Sequence, residues 1–309
     1  MNKKELKIVF MGTPNFAVPI LEALIKEYNV IGVVTQPDKL VGRKQVLTMS
    51  PVKECALKHN IPVFQPIKIR TDYQAIVDTH PDLIVTAAYG QIVGMELLDS
   101  PKYRSINVHG SLLPKYRGGS PIQTAIKNGE TVTGITIQYM EKGMDTGDIL
   151  SSATMPIEFD DTSETLFEKL SILGRDLLLK TIPNLIDGKI TPIKQNEADA
   201  TFAYNIKKEE EALDLNKTAL ELYNQIRSFI PSPIANLTLD DEVIKIYKAR
   251  VSNETHNTTP GKIIKVTKDY FTIACGASTA IDILELQPAG KKKMTARDYI
   301  NGGLKKHLK

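Results

Sequence analysis

Residues 7–34 read KIVFMGTPNFAVPILEALIKEYNVIGVV, and this stretch sets the fold class. Lys7 to Met11 is a short apolar run that ends in Gly12. From Asn15 to Lys26 apolar residues recur at helical spacing, and Val30 to Val34 is a second apolar run. Strand, helix and strand in that order predict a βαβ unit with two parallel strands. Working outward, Pro62–Phe64, Leu83–Thr86 and Ile106–His109 repeat the strand signal, with Ser50-Pro51 opening a helix that ends near Asn60, ahead of the first of them. The expectation is an α/β, Rossmann-like, mostly parallel sheet covered by helices, with ligands beyond the carboxyl ends of its strands.

After residue 130 the pattern changes. Thr131–Tyr139 and Ile149–Ile157 read as further strands, and Ser163–Leu185 as a long amphipathic helix that closes a first domain spanning 1–189. Residues 187–207 are polar and aperiodic, which predicts a linker over 190–207. In 208–309, a helical stretch at Thr218–Ile230 precedes five short apolar runs: Ile234–Leu239, Val243–Ala249, Gly261–Val266, Phe271–Cys275 and Ala280–Leu286. Short strands at close spacing predict a small OB-like β-barrel domain.

Composition excludes several classes. The 309 residues, 42% hydrophobic and 24% charged, fit a folded protein of about two domains. No run of 18 apolar residues occurs and the N-terminal apolar stretch is too short for a signal peptide, so no membrane association and a cytoplasmic location are expected. Cys55 and Cys275 lie far apart and outside any CxxC pattern, which predicts two reduced thiols. The net charge of +3 is uneven: residues 1–206 hold 22 Lys and Arg against 23 Asp and Glu, residues 207–309 hold 17 against 13. A basic last third is compatible with a nucleic-acid partner and equally with a solvated face. The first strand-to-helix turn, MGTPNFA, lacks the G-x-G-x-x-G of a dinucleotide cradle, and no Walker pattern is present.

The chemistry-bearing stretch is SINVHGSLLPKYRGGSP at 105–121. Residues two apart on a strand share a face, so Asn107 and His109 project together at a strand end. An amide and an imidazole there offer a hydrogen-bond donor and an acid or base to one carbonyl, as acyl transfer needs. A polar pair that merely caps the strand is the alternative. The loop Met140–Asp148 could bring the Asp145 carboxylate to His109; a turn aspartate bonded to its own backbone is the plainer reading. His109 with Asp145 and Asp148 as a metal site has no supporting ligand spacing, and no metal is expected.

MGTPNFAVPILEAL (11–24), VVTQPDK (33–39), SPVKECA (50–56), AAYGQI (87–92), INVHGSLLPKYRGGSPIQ (106–123), GMDTGDIL (143–150) and LQPAGKKKM (286–294) together resemble the methionyl-tRNA formyltransferase family from Ile8 to Gly303. The resemblance implies formyl transfer from 10-formyltetrahydrofolate, as cosubstrate, to the α-amino group of initiator methionyl-tRNA. It implies Asn107, His109 and Asp145 as the catalytic set. Ser111, Leu112, Leu113 and Pro114, with Ala88, Tyr89 and Gly90, would take the folate. Lys39, Arg43 and Lys44 on the loop 37–49, and Lys291, Lys292 and Lys293, would contact tRNA. A monomer is expected. Two other readings stay open: a formyltransferase acting on glycinamide ribonucleotide or an amino sugar would share the catalytic set, and a non-catalytic tRNA-binding protein would not need His109.

Overall fold

In the computed structural model, which describes residues 3–42, 44–239 and 241–302, the opening stretch folds as β1 (Lys7–Gly12), α1 (Val18–Glu27) and β2 (Asn29–Val34). β1 is buried from Ile8 to Gly12, and it pairs in parallel with β2 from Lys7↔Asn29 to Met11↔Val34. That burial on both faces is why the strand reads as a continuous apolar run and not as an alternation. Helix α1 turns Ile20, Leu21 and Leu24 into the core.

Next comes a hairpin that the apolar pattern did not announce, β3 (Lys39–Val41) and β4 (Val46–Thr48). It was expected only as a loop, because its residues are exposed on both faces and no alternation marks them. Helix α2 (Pro51–Lys58) follows, its first turn capped by Ser50 Oγ, which accepts from the Lys53 amide at 3.1 Å. Then come β5 (Val63–Phe64), α3 (Gln74–Val77), β6 (Leu83–Ala87), α4 (Met95–Leu98), β7 (Ser105–His109), α5 (Pro121–Lys127), β8 (Val132–Tyr139), β9 (Ile149–Pro156) and α6 (Ser163–Ile186).

The seven-stranded sheet runs β5-β2-β1-β6-β7-β8-β9. Its first five strands are parallel, and β8 and β9 add an antiparallel edge. From β1 the chain steps outward to β2 and β5, then returns to the other side of β1 for β6 and β7. The strand order therefore reverses between β1 and β6, which opens a ligand crevice beyond their carboxyl ends. The described residues up to Pro121, with Val132–Pro156 and Phe167–Tyr204, pack as one compact unit that contains this sheet.

A second unit gathers Ile122–Thr131, Ile157–Leu166 and the described residues from Asn205 onward. Thr218 caps α7 (Ala219–Ser228), and Glu221 reaches back to its amide. The antiparallel sheet runs β10 (Asn236–Leu239), β11 (Glu242–Val251), β14 (Ala280–Pro288), β13 (Phe271–Ala274) and β12 (Ile263–Val266), with β15 (Met294–Thr295) on β14 and α8 (Ala296–Gly302) after it. Leu222, Ile226, Phe229, Ile246, Phe271 and Ile283 form its core. This is the OB-like sheet expected from the five apolar runs; β15 and α8 are the additions, both too short to leave a periodic signal. Among the described residues no helix is long and apolar enough to cross a membrane.

Candidate functional site

Register places the side chains. Asn107 on β7 lies beside Thr86 on β6 and Gln138 on β8, while His109 lies beside Thr136. Val108 points to the opposite face, where a Cβ added at Gly174 of α6 would meet it at 2.9 Å. The i, i+2 rule therefore holds, and Asn107, His109, Thr136 and Gln138 share one face of the sheet.

The loop after β8 carries Asp145 to that face. Its Oδ1 accepts from Gln138 Nε2 at 2.9 Å and from Asn107 Nδ2 at 3.4 Å, and lies 3.6 Å from His109 Nδ1. Its Oδ2 accepts from the Gly118 amide at 2.9 Å. His109 Nε2 sits 3.0 Å from the Tyr116 carbonyl, which can only accept, so the ring carries a proton on Nε2 and Nδ1 faces the carboxylate. Both side chains are largely enclosed, His109 at 6% exposure and Asp145 at 17%. The structure brings the three sequence-predicted residues together.

What holds the loop is a second layer that sequence reasoning missed. Asp145 has φ 53°, a left-handed conformation that costs a side-chain-bearing residue about 1–2 kcal/mol and persists only when its surroundings fix it. Gln195 supplies the fixing: its Nε2 lies 2.8 Å from the Asp145 carbonyl, 2.7 Å from that of Gly147 and 3.2 Å from Gln138 Oε1. Gln195 Oε1 in turn accepts from Arg117 Nε at 3.0 Å and Nη2 at 2.9 Å. The fully buried Arg117 guanidinium completes a two-pronged pair with Glu197, both oxygens at 2.8 Å. That cation beside it holds the Glu197 carboxyl below the ordinary glutamate value.

The backbone closes the same bracket. Arg117 N donates to the Thr201 carbonyl at 2.9 Å, Ala203 N to the Arg117 carbonyl at 2.7 Å and Tyr116 N to Thr201 Oγ1 at 2.9 Å. Gly118 sits at φ 121° with the Ala203 carbonyl where a Cβ would be, 2.6 Å away, so only glycine delivers its amide to Asp145. The alternation of Thr136 and Gln138 with Ile135 and Ile137 was a legible sign of a polar face on β8. Gln195 gave no sign, since it lies in an aperiodic stretch.

The remaining predicted residues fall in three places. At the crevice, Ala88 and Gly90 have φ 49° and 92°, and the Tyr89 carbonyl between them accepts from Thr13 Oγ1 at 2.9 Å and Gln36 Nε2 at 3.2 Å. Burial pushes the Tyr89 phenol up to about 12. In the turn after β7, Thr136 Oγ1 donates to the Ser111 carbonyl at 2.7 Å and accepts from the Leu113 amide at 3.1 Å, Ser111 Oγ donates to the Lys115 carbonyl at 2.6 Å, and Leu113 is buried while Leu112 and Pro114 are half-buried. Lys39 and Lys44 are exposed on the β3–β4 hairpin, whose Leu40, Val41, Val46 and Leu47 are exposed as well; Arg43 lies outside the described residues. In the second unit Lys291, Lys292 and Lys293 are exposed, with Lys293 Nζ 2.6 Å from Glu285 and over the Tyr247 ring. Among the described residues no three His, Cys, Asp or Glu side chains converge as a metal-ligand set.

The chain has relatives in sequence and in fold. Residues 6–182 match the formyl transferase family, and residues 205–304 match the formyl transferase C-terminal domain. The chain is 55% identical over 304 residues to a methionyl-tRNA formyltransferase from Lactiplantibacillus plantarum, covering 97% of this chain and 96% of that one. It is 52% identical over 300 residues to a methionyl-tRNA formyltransferase from Bacillus mycoides, covering 96% of each. The solved N-formyltransferase from Helicobacter canadensis, in complex with folinic acid and dTDP-3-aminofucose, superposes with a TM-score of 0.67 at 25% identity, over 90% of this chain and 98% of that one. The chain belongs to the formyl transferase family, alongside the methionyl-tRNA formyltransferases.

Proposed function

We propose that this protein transfers a formyl group from 10-formyltetrahydrofolate to the α-amino group of methionine on initiator tRNA. The observation that carries the reading is the Asp145 carboxylate, held by Gln138 and Gly118 with one oxygen 3.6 Å from His109 Nδ1 and 3.4 Å from Asn107. The whole-length identity to methionyl-tRNA formyltransferases supports tRNA as acceptor over a nucleotide-linked amino sugar. The bound folate supplies the activated formyl group, and the protein supplies position, proton transfer and charge stabilisation.

Each residue has a role that follows from its bonds. With Nε2–H engaged by Tyr116, Nδ1 is the nitrogen of His109 that can take the proton of the attacking amine. Asp145 stabilises the imidazolium so formed, and its distance of 3.6 Å leaves Nδ1 accessible to the substrate. Asn107 spends one amide N–H on Asp145 and keeps the other for the oxyanion that develops on the formyl oxygen. The new carbon–nitrogen bond forms as the bond to N10 breaks, and the amine proton passes by way of His109 to N10. Ala88–Gly90 and Ser111–Pro114 line the crevice for the folate. The fit is supported by Thr86, beside Asn107, whose buried hydroxyl has no hydrogen-bond partner among the described residues. Lys39, Arg43, Lys44 and Lys291–Lys293 serve the tRNA backbone. The division at 189 and 208 assigns catalysis to the first part and tRNA binding to the last, and the segment between them also braces Asp145.

The test is formyl transfer from 10-formyltetrahydrofolate to charged initiator tRNA, glycinamide ribonucleotide and an amino sugar nucleotide, with His109→Ala alongside. Transfer to the tRNA alone, lost in the variant, is expected; transfer only to a small amine sinks the reading.

A further inference from the structure

Phe202 and Tyr204 lie two residues apart on the segment that brackets the site, and they are 48% and 65% exposed. Their rings are parallel within 3°, with centroids 5.6 Å apart. Between them Ala203 is buried and bonded through its backbone to Arg117 and Ser120. Two large aromatic rings held flat against each other in solvent are not needed to anchor a segment that its backbone and Arg117 already anchor.

We propose that this pair is a stacking platform for the nucleobase of the 3′-terminal nucleoside that bears the methionyl ester. The proposal rests on the acceptor being a charged tRNA. Three observations carry it. The first is position: Thr201, next to Phe202, bonds the amide of Tyr116, and the carbonyl of Tyr116 bonds His109. The rings thus belong to the segment that is joined through Thr201 and Tyr116 to His109. The second is the chemistry of the acceptor, in which the base attached to the esterified ribose is the flat surface nearest the reacting amine. Aromatic side chains take any base by its π-face, independent of its hydrogen-bonding edge. The third is charge, because the paired segment presents the exposed Lys115 toward solvent, a cation suited to the adjoining phosphodiester.

A cycle of paired changes tests this: the wild type and a Phe202→Leu, Tyr204→Leu variant, each with methionyl-tRNA carrying either its terminal base or an abasic terminal nucleotide. Loss of one stacked base lowers kcat/KM by about 5- to 150-fold. The expected result is that loss in the wild type on removing the base, the same loss in the variant on intact tRNA, and no further loss when the two are combined. Losses that multiply overturn the platform. So does a variant whose KM rises for 10-formyltetrahydrofolate and not for tRNA, which would give the rings to the folate. Tyr204→Leu alone guards against a folding effect, since a change at a largely exposed ring leaves the melting temperature in place. No transfer to intact methionyl-tRNA by the wild type would instead remove the functional reading beneath the proposal.

Discussion

Replacing Gln195 with methionine tests the idea that Asp145 is set from outside its own loop. The side chain keeps its length and apolar volume while losing every hydrogen bond. A terminal amide has two N–H donors, so the loss is two bonds, to the Asp145 and Gly147 carbonyls at 2.8 and 2.7 Å, worth about 1–3 kcal/mol together. Arg117 also loses its acceptor on Gln195 and keeps Glu197, which adds about 2 kcal/mol for a bond to a charged donor. A total of about 3–5 kcal/mol should appear in urea unfolding. It is a large share of a domain's 5–15 kcal/mol but leaves the protein folded at 25 °C. Freed of its bracket, the left-handed Asp145 relaxes, and a displacement of about 1 Å in a catalytic group costs about a hundredfold in kcat. Gln195→Glu separates the two effects: its carboxylate still accepts from Arg117 but faces two carbonyl oxygens. It should lose kcat as the methionine variant does with a smaller loss of stability. A methionine variant within about 0.5 kcal/mol of wild type and with unchanged kcat would refute the reasoning.

Gly118→Ala places a methyl against the Ala203 carbonyl at φ 121° and should cost about 2 kcal/mol or more, with kcat falling because the amide that holds Asp145 shifts; Gly188→Ala, at φ 66° with open space, is the control whose kcat stays. Because Arg117 depresses the Glu197 pKa, the stability that pair contributes is complete above the ordinary glutamate value and is lost as pH falls through the depressed one. Glu197→Gln should therefore lower stability at pH 7–8, where the pair's contribution is complete, and flatten the acid limb so that the variant and wild type converge at low pH, as chemical denaturation across pH will show. Burial pushes the Cys275 thiol up to about 11 and raises that of Cys55, so neither should react with a thiol reagent at pH 8 until the chain unfolds; rapid labelling of native protein would contradict their burial.

The parts of the fold that were legible in the sequence are those whose burial leaves a period. β1, β2, β6 and β7 read as apolar runs because both faces are covered, and β10 to β14 because one core claims alternate residues. The β3–β4 hairpin could not be read, since nothing buries either face. At the site, Asn107 and His109 were legible from spacing, and Asp145 only as a loop carboxylate that an ordinary turn aspartate explained equally well. Gln195 and Arg117 were not legible. Their roles come from long-range contact across 78 residues, and neither occupies a patterned position.

The bracket also dates the site in the life of the chain. Asn107, His109 and Asp145 are all synthesised before α6 is, yet the amide that fixes the Asp145 loop belongs to residue 195 and its backbone clasp to Thr201 and Ala203. A chain cut at the end of α6 would hold the three proposed catalytic side chains without the Gln195 amide that fixes the carboxylate loop. On the proposed reading, a fragment that ends before Ala203 should transfer formyl groups more slowly than one that includes it.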